Sequence, residues 1–300
     1  MDAEYIAPAL TIFNAEGNID IRGNKVLYDY LIQNGINGIA VMGSSGEFFS
    51  MSMDQRKALA ELALTCIAGR VKTLIGAGCM TPRDTIALAK YALDRGANGV
   101  LIVGPYYINL DRAAILRYYD SVVDHIDGAV YLYNYPDRTG YDLDSEMTRT
   151  LLERHPNIAG YKDTCVAMAH TREILRATTL GGFPDFRVYC GYDDNFAHNV
   201  LSGGAGAIGA LSNLVPDICA RWVKALQNND LAVAADMQRY INRMMEFYAL
   251  GVPFMPIMKA ALIQKGLTLP PCCLEPLEEP GEEQQERLSR LMAEMFSPSM

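Results

Sequence analysis

Short apolar runs alternate with amphipathic stretches of helical length along most of this chain. The runs at 6–13, 38–42, 73–76, 99–103, 129–133, 158–162, 187–190 and 207–210 are close to continuously apolar, as strands buried on both faces are. Between them, 22–34, 53–69, 82–95, 112–127, 144–155, 166–178, 194–202 and 216–228 carry helical periodicity. Asp111 and Asp144 are predicted N-caps, and Thr81-Pro82 reads as a cap followed by proline at the first helical position. Eight strands alternating with eight helices predict an α/β fold, a closed (β/α)8 barrel. Two near-repeats, 35–43 and 96–104, fit this unit: a glycine closes a helix and an apolar strand ends on glycine. An open doubly wound sheet is the rival, but no glycine-rich dinucleotide fingerprint follows the first strand.

After residue 229 the pattern turns wholly helical, at 230–250, 253–265 and 282–295, with a proline-rich connection around Pro270, Pro271, Pro276 and Pro280. The expected organisation is a catalytic barrel over 1–229 and a helical extension over 230–300 packed on it, not an independent functional module.

The 300 residues are 50% hydrophobic, enough for a large core, and the net charge of -9 argues against nucleic-acid binding, which needs a basic face. No apolar run has the length of a membrane span, and the start Met1-Asp2-Ala3-Glu4-Tyr5 lacks the basic and apolar regions of a signal peptide. Seven scattered cysteines with no CxxC spacing suit a reduced, cytoplasmic protein. The four histidines show neither HxH nor HExxH spacing, so no metal site is expected of them.

In a barrel, reactive groups belong where strands end. Strand two ends in Gly43-Ser44-Ser45-Gly46-Glu47, either a cradle for a carboxylate or an ordinary turn. Strand four ends in Gly104-Pro105-Tyr106-Tyr107, and paired tyrosines also serve as packing or interface residues. Strand five delivers Tyr133, with Arg138 in the loop beyond. Strand six delivers Lys162, followed by Asp163-Thr164. A lysine ending an apolar strand is costly: desolvation favours the neutral amine, a nucleophile toward carbonyls. Its alternative is an ion pair with an acid at the barrel mouth. Strand seven ends in Cys190-Gly191-Tyr192-Asp193-Asp194; the two acids suit a metal, but Asp194 better suits the N-cap of the next helix.

Taken together, Gly43 through Glu47, the Pro-Tyr-Tyr at 105–107, Tyr133-Asn134-Tyr135-Pro136 and Gly160-Tyr161-Lys162-Asp163 resemble the pyruvate-dependent class I aldolases, the superfamily of dihydrodipicolinate synthase and N-acetylneuraminate lyase. The resemblance covers residues 5 to about 265. It implies that Lys162 forms a Schiff base with pyruvate, that Tyr133 moves the proton, and that Ser44 and Tyr107 extend a hydroxyl relay. It implies that Ser44 and Ser45 hold the pyruvate carboxylate, with Gly191 and Ile208 among the substrate-binding positions. No cofactor beyond the covalent imine and no metal is implied. The Tyr107 equivalent reaches into a neighbouring subunit, so a homotetramer, a dimer of dimers, is implied.

Arg138 favours the synthase, in which an arginine of this loop binds the carboxylate of aspartate semialdehyde. The strings Gly43 to Phe48, Lys162-Asp163-Thr164 and Cys190 to Asp194, and Thr11-Ile12-Phe13 near the start, are more similar to the branch that cleaves 2-keto-3-deoxy sugar acids. That branch is the expected one, with the synthase reaction as alternative; a non-catalytic keto-acid-binding barrel and a metal-dependent aldolase are more distant. Phe48, Phe49, Met53 and Met80 occupy the places of the synthase's polar lysine-feedback site, so no inhibition by lysine is expected.

Overall fold

A computed structural model describes residues 1–296. Eight parallel strands close on themselves in sequence order: β1 Glu4–Pro8, β2 Gly38–Val41, β3 Lys72–Gly76, β4 Gly99–Val103, β5 Val130–Asn134, β6 Ile158–Asp163, β7 Arg187–Cys190 and β8 Gly206–Ile208, with β8 pairing back to β1. The helices are α1 Ile21–Gln33, α2 Met53–Ile67, α3 Pro82–Leu93, α4 Arg112–Val123, the single turn α5 Pro136–Thr139, α6 Ser145–Arg154, α7 Met168–Ala177, α8 Phe196–Leu201 and α9 Pro216–Gln227. Then follow α10 Leu231–Met244, the short α11 Glu246–Ala249, α12 Met255–Gln264 and α13 Glu282–Phe296. The expected (β/α)8 barrel is therefore present.

Local chemistry explains the helix starts. The side chains of Thr81, Asp111 and Asp144 each accept a hydrogen bond from the backbone N–H three residues on, as predicted, and Ser52 with Gln55 forms a reciprocal capping box on α2. Asp194 is a correction. It lies inside a 3₁₀ turn, Asp193–Asn195, and α8 begins at Phe196 with no side-chain cap. The first strand is also shorter than its apolar run. Beyond Pro8 the chain turns to side-chain partners, with Leu10 N–H donating to Asn213 Oδ1 (3.2 Å) and Ile12 N–H to Asn24 Oδ1 (3.1 Å). Backbone pairing persists only at Ala9, whose N–H donates to the Ala40 carbonyl (3.0 Å), and in an isolated bridge of Phe13 with Ile19, so the apolar character of 9–13 reflects burial more than ladder pairing.

A bulge between β5 and β6 sets the register that matters most. Val130 opposes Ile158 but Tyr131 opposes Gly160, so Ala159 is an extra residue on β6. Beyond it Tyr133 opposes Lys162. Without the extra residue Tyr133 would face Tyr161, and every side chain at the end of β6 would change face. Glycine is required at 160, because a Cβ there would stand 2.6 Å from the Tyr131 ring and 2.7 Å from the Arg187 carbonyl oxygen.

The helices after the barrel share its core. Met237, Ile241 and Met244 of α10, Ile257, Met258, Ala261 and Leu262 of α12, and Leu288, Leu291 and Met292 of α13 are buried. Among the described residues no helix is long and apolar enough to cross a membrane.

Candidate active site

Tyr133 and Lys162 are in-register partners on adjacent parallel strands, so their side chains leave the sheet on the same face, one strand spacing apart. Both are buried, Lys162 with only 5% of its surface exposed, and its Nζ lies 4.3 Å from the centroid of the Tyr133 ring. Among the described residues no carboxylate forms an ion pair with Lys162. Alternation along β6 explains this: Lys162 points inward, so Asp163 points out, where its Oδ2 accepts from Thr171 Oγ1 (2.6 Å) and His170 Nδ1 (2.9 Å). Asp163 therefore pins the end of β6 to α7 and leaves the lysine amine unpaired.

His170 also donates from Nε2 to Asp142 Oδ2 (3.1 Å), and Asp142 accepts from Asn134 Nδ2 (2.8 Å). Burial works against the imidazolium, but its bonds to Asp142 and Asp163 outweigh that and push its pKa up to about 12. Asp142, Cys165 and His170 bring ligating atoms within 4.8 Å of one another, a cluster that histidine spacing alone did not reveal. The imidazole is already shared between two carboxylates, so the cluster acts as a charged strap behind the sheet.

The Tyr133 hydroxyl lies 3.3 Å from Ser44 Oγ. Ser44 starts a 3₁₀ turn, Ser44–Gly46, whose internal hydrogen bonding begins at the Gly46 N–H, leaving the amides of Ser44 and Ser45 unused by the turn. Thr11 Oγ1 donates to the Gly46 carbonyl (2.8 Å) and steadies the turn from β1's side. Tyr135 stacks on Tyr133, with ring centroids 6.1 Å apart, and the exposed Arg138 guanidinium lies 5.7 Å from the Tyr135 ring.

These groups open onto one cavity of about 750 Å³ at the C-terminal mouth of the barrel. Ser44, Ser45, Tyr133, Arg138, Lys162, Gly191 and Ile208 all line it. Tyr107 does not: it is 93% exposed, with a left-handed φ of 80°. Beside it an open groove is lined by Met80, Pro105, Ile108 and Leu110.

Two kinds of site residue escaped the sequence reading. The first is Thr164, on the cavity wall, whose buried hydroxyl has no partner among the described residues. It lies against Gly191, where a Cβ would stand 2.0 Å from Thr164 Oγ1. Its position directly after Lys162-Asp163 was the available signal. The second is the helical extension. Met245, Tyr248, Val252, Phe254, Met255 and Leu277 wall the cavity, so the extension contributes to the site instead of merely covering the barrel. Tyr248 donates to Asp193 Oδ2 (2.5 Å), while Tyr5 donates to Oδ1 (2.5 Å) and Leu211 N–H also bonds Oδ1 (3.1 Å). Complete burial outweighs these bonds and raises the Asp193 carboxyl to about 6.

A closed (β/α)8 barrel that gathers a buried lysine, a phenol and serine hydroxyls at its C-terminal mouth has the layout of a barrel enzyme. The chain matches the dihydrodipicolinate synthetase family over residues 2–295 and belongs to that family. It is 38% identical over 288 residues to the putative 2-dehydro-3-deoxy-D-gluconate aldolase YagE of Escherichia coli K12, covering 94% of each chain. It is 35% identical over 287 residues to the probable 2-dehydro-3-deoxy-D-pentonate aldolase YjhH of the same strain, covering 96% of this chain and 95% of that one. The crystal structure of YagE in complex with pyruvate superposes with a TM-score of 0.95 at 35% identity, covering 98% of each chain. Dihydrodipicolinate synthase from Thermotoga maritima superposes with a TM-score of 0.91 at 26% identity, covering 98% of this chain and 99% of that one.

Proposed function

We propose that this protein is a pyruvate-dependent class I aldolase, a lyase that makes or breaks a carbon–carbon bond through a Schiff base on Lys162, with a 2-keto-3-deoxy sugar acid as substrate. The observation that carries this reading is the unpaired, buried Lys162 amine against Tyr133, whose hydroxyl continues to Ser44.

In the cleavage direction the neutral Lys162 amine attacks the keto carbon of the substrate. The carbinolamine loses water, for which Tyr133 supplies the proton, and a protonated imine results. A base then removes the proton of the hydroxyl on the carbon beyond the methylene. That C–O⁻ collapses to an aldehyde, the carbon–carbon bond breaks, and its electron pair flows into the iminium to give an enamine. Protonation of the enamine carbon and hydrolysis release pyruvate and free Lys162. The iminium is the electron sink, so this sequence requires no metal or other cofactor. Ser44 and Ser45, with the amides of their turn, hold the carboxylate next to the imine.

YagE and YjhH, named as aldolases of 2-keto-3-deoxy sugar acids, favour the sugar acid. Arg138 supports a second reading, the condensation of pyruvate with aspartate semialdehyde, because its exposed guanidinium could take that aldehyde's carboxylate. Tyr107 completes the relay only in an assembly. Its exposed side chain and the groove beside it fit a homotetramer in which it enters a neighbour's site.

Coupled assays discriminate the substrates: pyruvate release from 2-keto-3-deoxygluconate or its pentonate analogue, against condensation of pyruvate with aspartate semialdehyde. We expect kcat/KM for cleavage to exceed that for condensation by at least about tenfold, ~1.4 kcal/mol of differential transition-state binding. Condensation as the faster reaction would overturn the sugar-acid assignment.

A further inference from the structure

Glu47, directly after the Ser44–Gly46 turn, is fully buried and held in the left-handed conformation (φ 57°, ψ 30°), which is costly for a residue with a Cβ. Its carboxylate points away from the cavity, toward the helical extension. Oε1 forms an ion pair with Lys259 Nζ at 2.5 Å, and both side chains are 0% exposed. Oε2 accepts from the Leu274 N–H at 2.9 Å. Lys259, on α12, donates in turn to the Cys272 carbonyl (2.8 Å) and lies 5.0 Å from the centroid of the Phe13 ring. A second tie runs beside it, from Ser50 Oγ to the Glu275 carbonyl (2.9 Å).

We propose that Lys259 is a positioning residue for the proposed reaction: through Glu47 it holds the Ser44–Ser45 turn in the geometry that receives the pyruvate carboxylate. A buried ion pair contributes little net stability compared with an apolar pair of the same volume, so its value here is geometric. Glu47 keeps its unfavourable backbone conformation because both carboxylate oxygens are bound on the far side. The Glu47 N–H then bonds the Ser44 carbonyl, three residues back (3.3 Å), and the Gly46 N–H bonds the Gly43 carbonyl (2.9 Å), which fixes the turn that carries Ser44 and Ser45. The helical extension thereby controls the substrate's anionic end without touching it. This role rests on the pyruvate-binding reading of the same site.

The test uses the full chain, with pyruvate and borohydride trapping on Lys162 as the binding readout and thermal melting as the folding control. Lys259→Met strands a buried carboxylate and lowers the melting temperature. The double variant Glu47→Gln with Lys259→Met removes both charges, and its melting temperature recovers. Its half-saturating pyruvate nevertheless stays raised by about tenfold, while kcat at saturating pyruvate stays within about threefold of the parent, because the carboxylate contact that is loosened is made equally in ground and transition states and the Tyr133 and Lys162 groups are unchanged. Glu47→Asp keeps the charges and pulls the turn by one methylene; it raises half-saturating pyruvate with little change in melting temperature, and it decides the matter if the double variant does not fold. Parental half-saturation in these folded variants overturns the positioning role alone. Absence of any pyruvate adduct in the parent overturns the functional reading and the positioning role with it.

Discussion

Tyr133 is the residue at which the proposed chemistry can be separated from the architecture. Its ring packs against Lys162 and Tyr135, while its hydroxyl has Ser44 as its hydrogen-bond partner among the described residues. Tyr133→Phe therefore keeps the packing and removes the proton carrier. We expect kcat to fall by about 10²–10³-fold, within the usual range for a positioned acid–base group, with KM changed far less. Steady-state kinetics of the variant check this, and a kcat within a few-fold of the parent would remove Tyr133 from the proton path. Lys162 and Tyr133 were legible in the sequence because a titratable side chain ending an apolar run is conspicuous. The roles of Asp193 and Glu47 were not legible, because their partners Tyr5, Tyr248 and Lys259 are remote along the chain and nothing local announces them.

At the scale of elements, the apolar runs located all eight strands, since strands buried on both faces need no polar alternation. Their ends were less legible. The run after Pro8 is buried but outside the strand, and the extra residue Ala159, which sets the Tyr133–Lys162 register, leaves no mark in an apolar pattern. The link between the loop after β7 and the helical extension passes through Asp193 and Tyr248. The folded state holds the Asp193 carboxyl near 6 against an ordinary value of 3.8, so it binds more protons than the unfolded chain between those values. Stability from this group is highest below pH 4 and declines as pH rises toward 6, by about 3 kcal/mol in all. Above that it is flat. Carboxylates held low by cationic partners, such as Asp2 beside Arg187, slope the opposite way, so the signal lies in a difference. Denaturant unfolding of the parent and Asp193→Asn at pH 4 to 7 should show the variant gaining on the parent as pH rises to 6. A difference independent of pH would contradict the assignment.

The whole molecule forms its cavity from two parts of the chain that the sequence pattern separates. The barrel supplies the reactive lysine, the phenol and the serines; Met245, α11, the turn before α12 and Leu277 beyond it supply much of the outer wall. The change from alternating to purely helical pattern after residue 229 was legible. That the later helices close over the barrel mouth was not, because amphipathicity tells which face is buried and not what it is buried against. The net charge of -9 leaves anion binding to local groups: the Ser44–Ser45 turn at one end of the cavity and Arg138 at its rim.

The central claim is that this cavity exists to form an imine on one lysine. Incubation with pyruvate, reduction with borohydride and peptide mass spectrometry tests it most directly. The account predicts a reduced pyruvate adduct on the peptide carrying Lys162, absent from Lys162→Arg. A folded protein that yields no adduct, or carries it on another lysine, would contradict it.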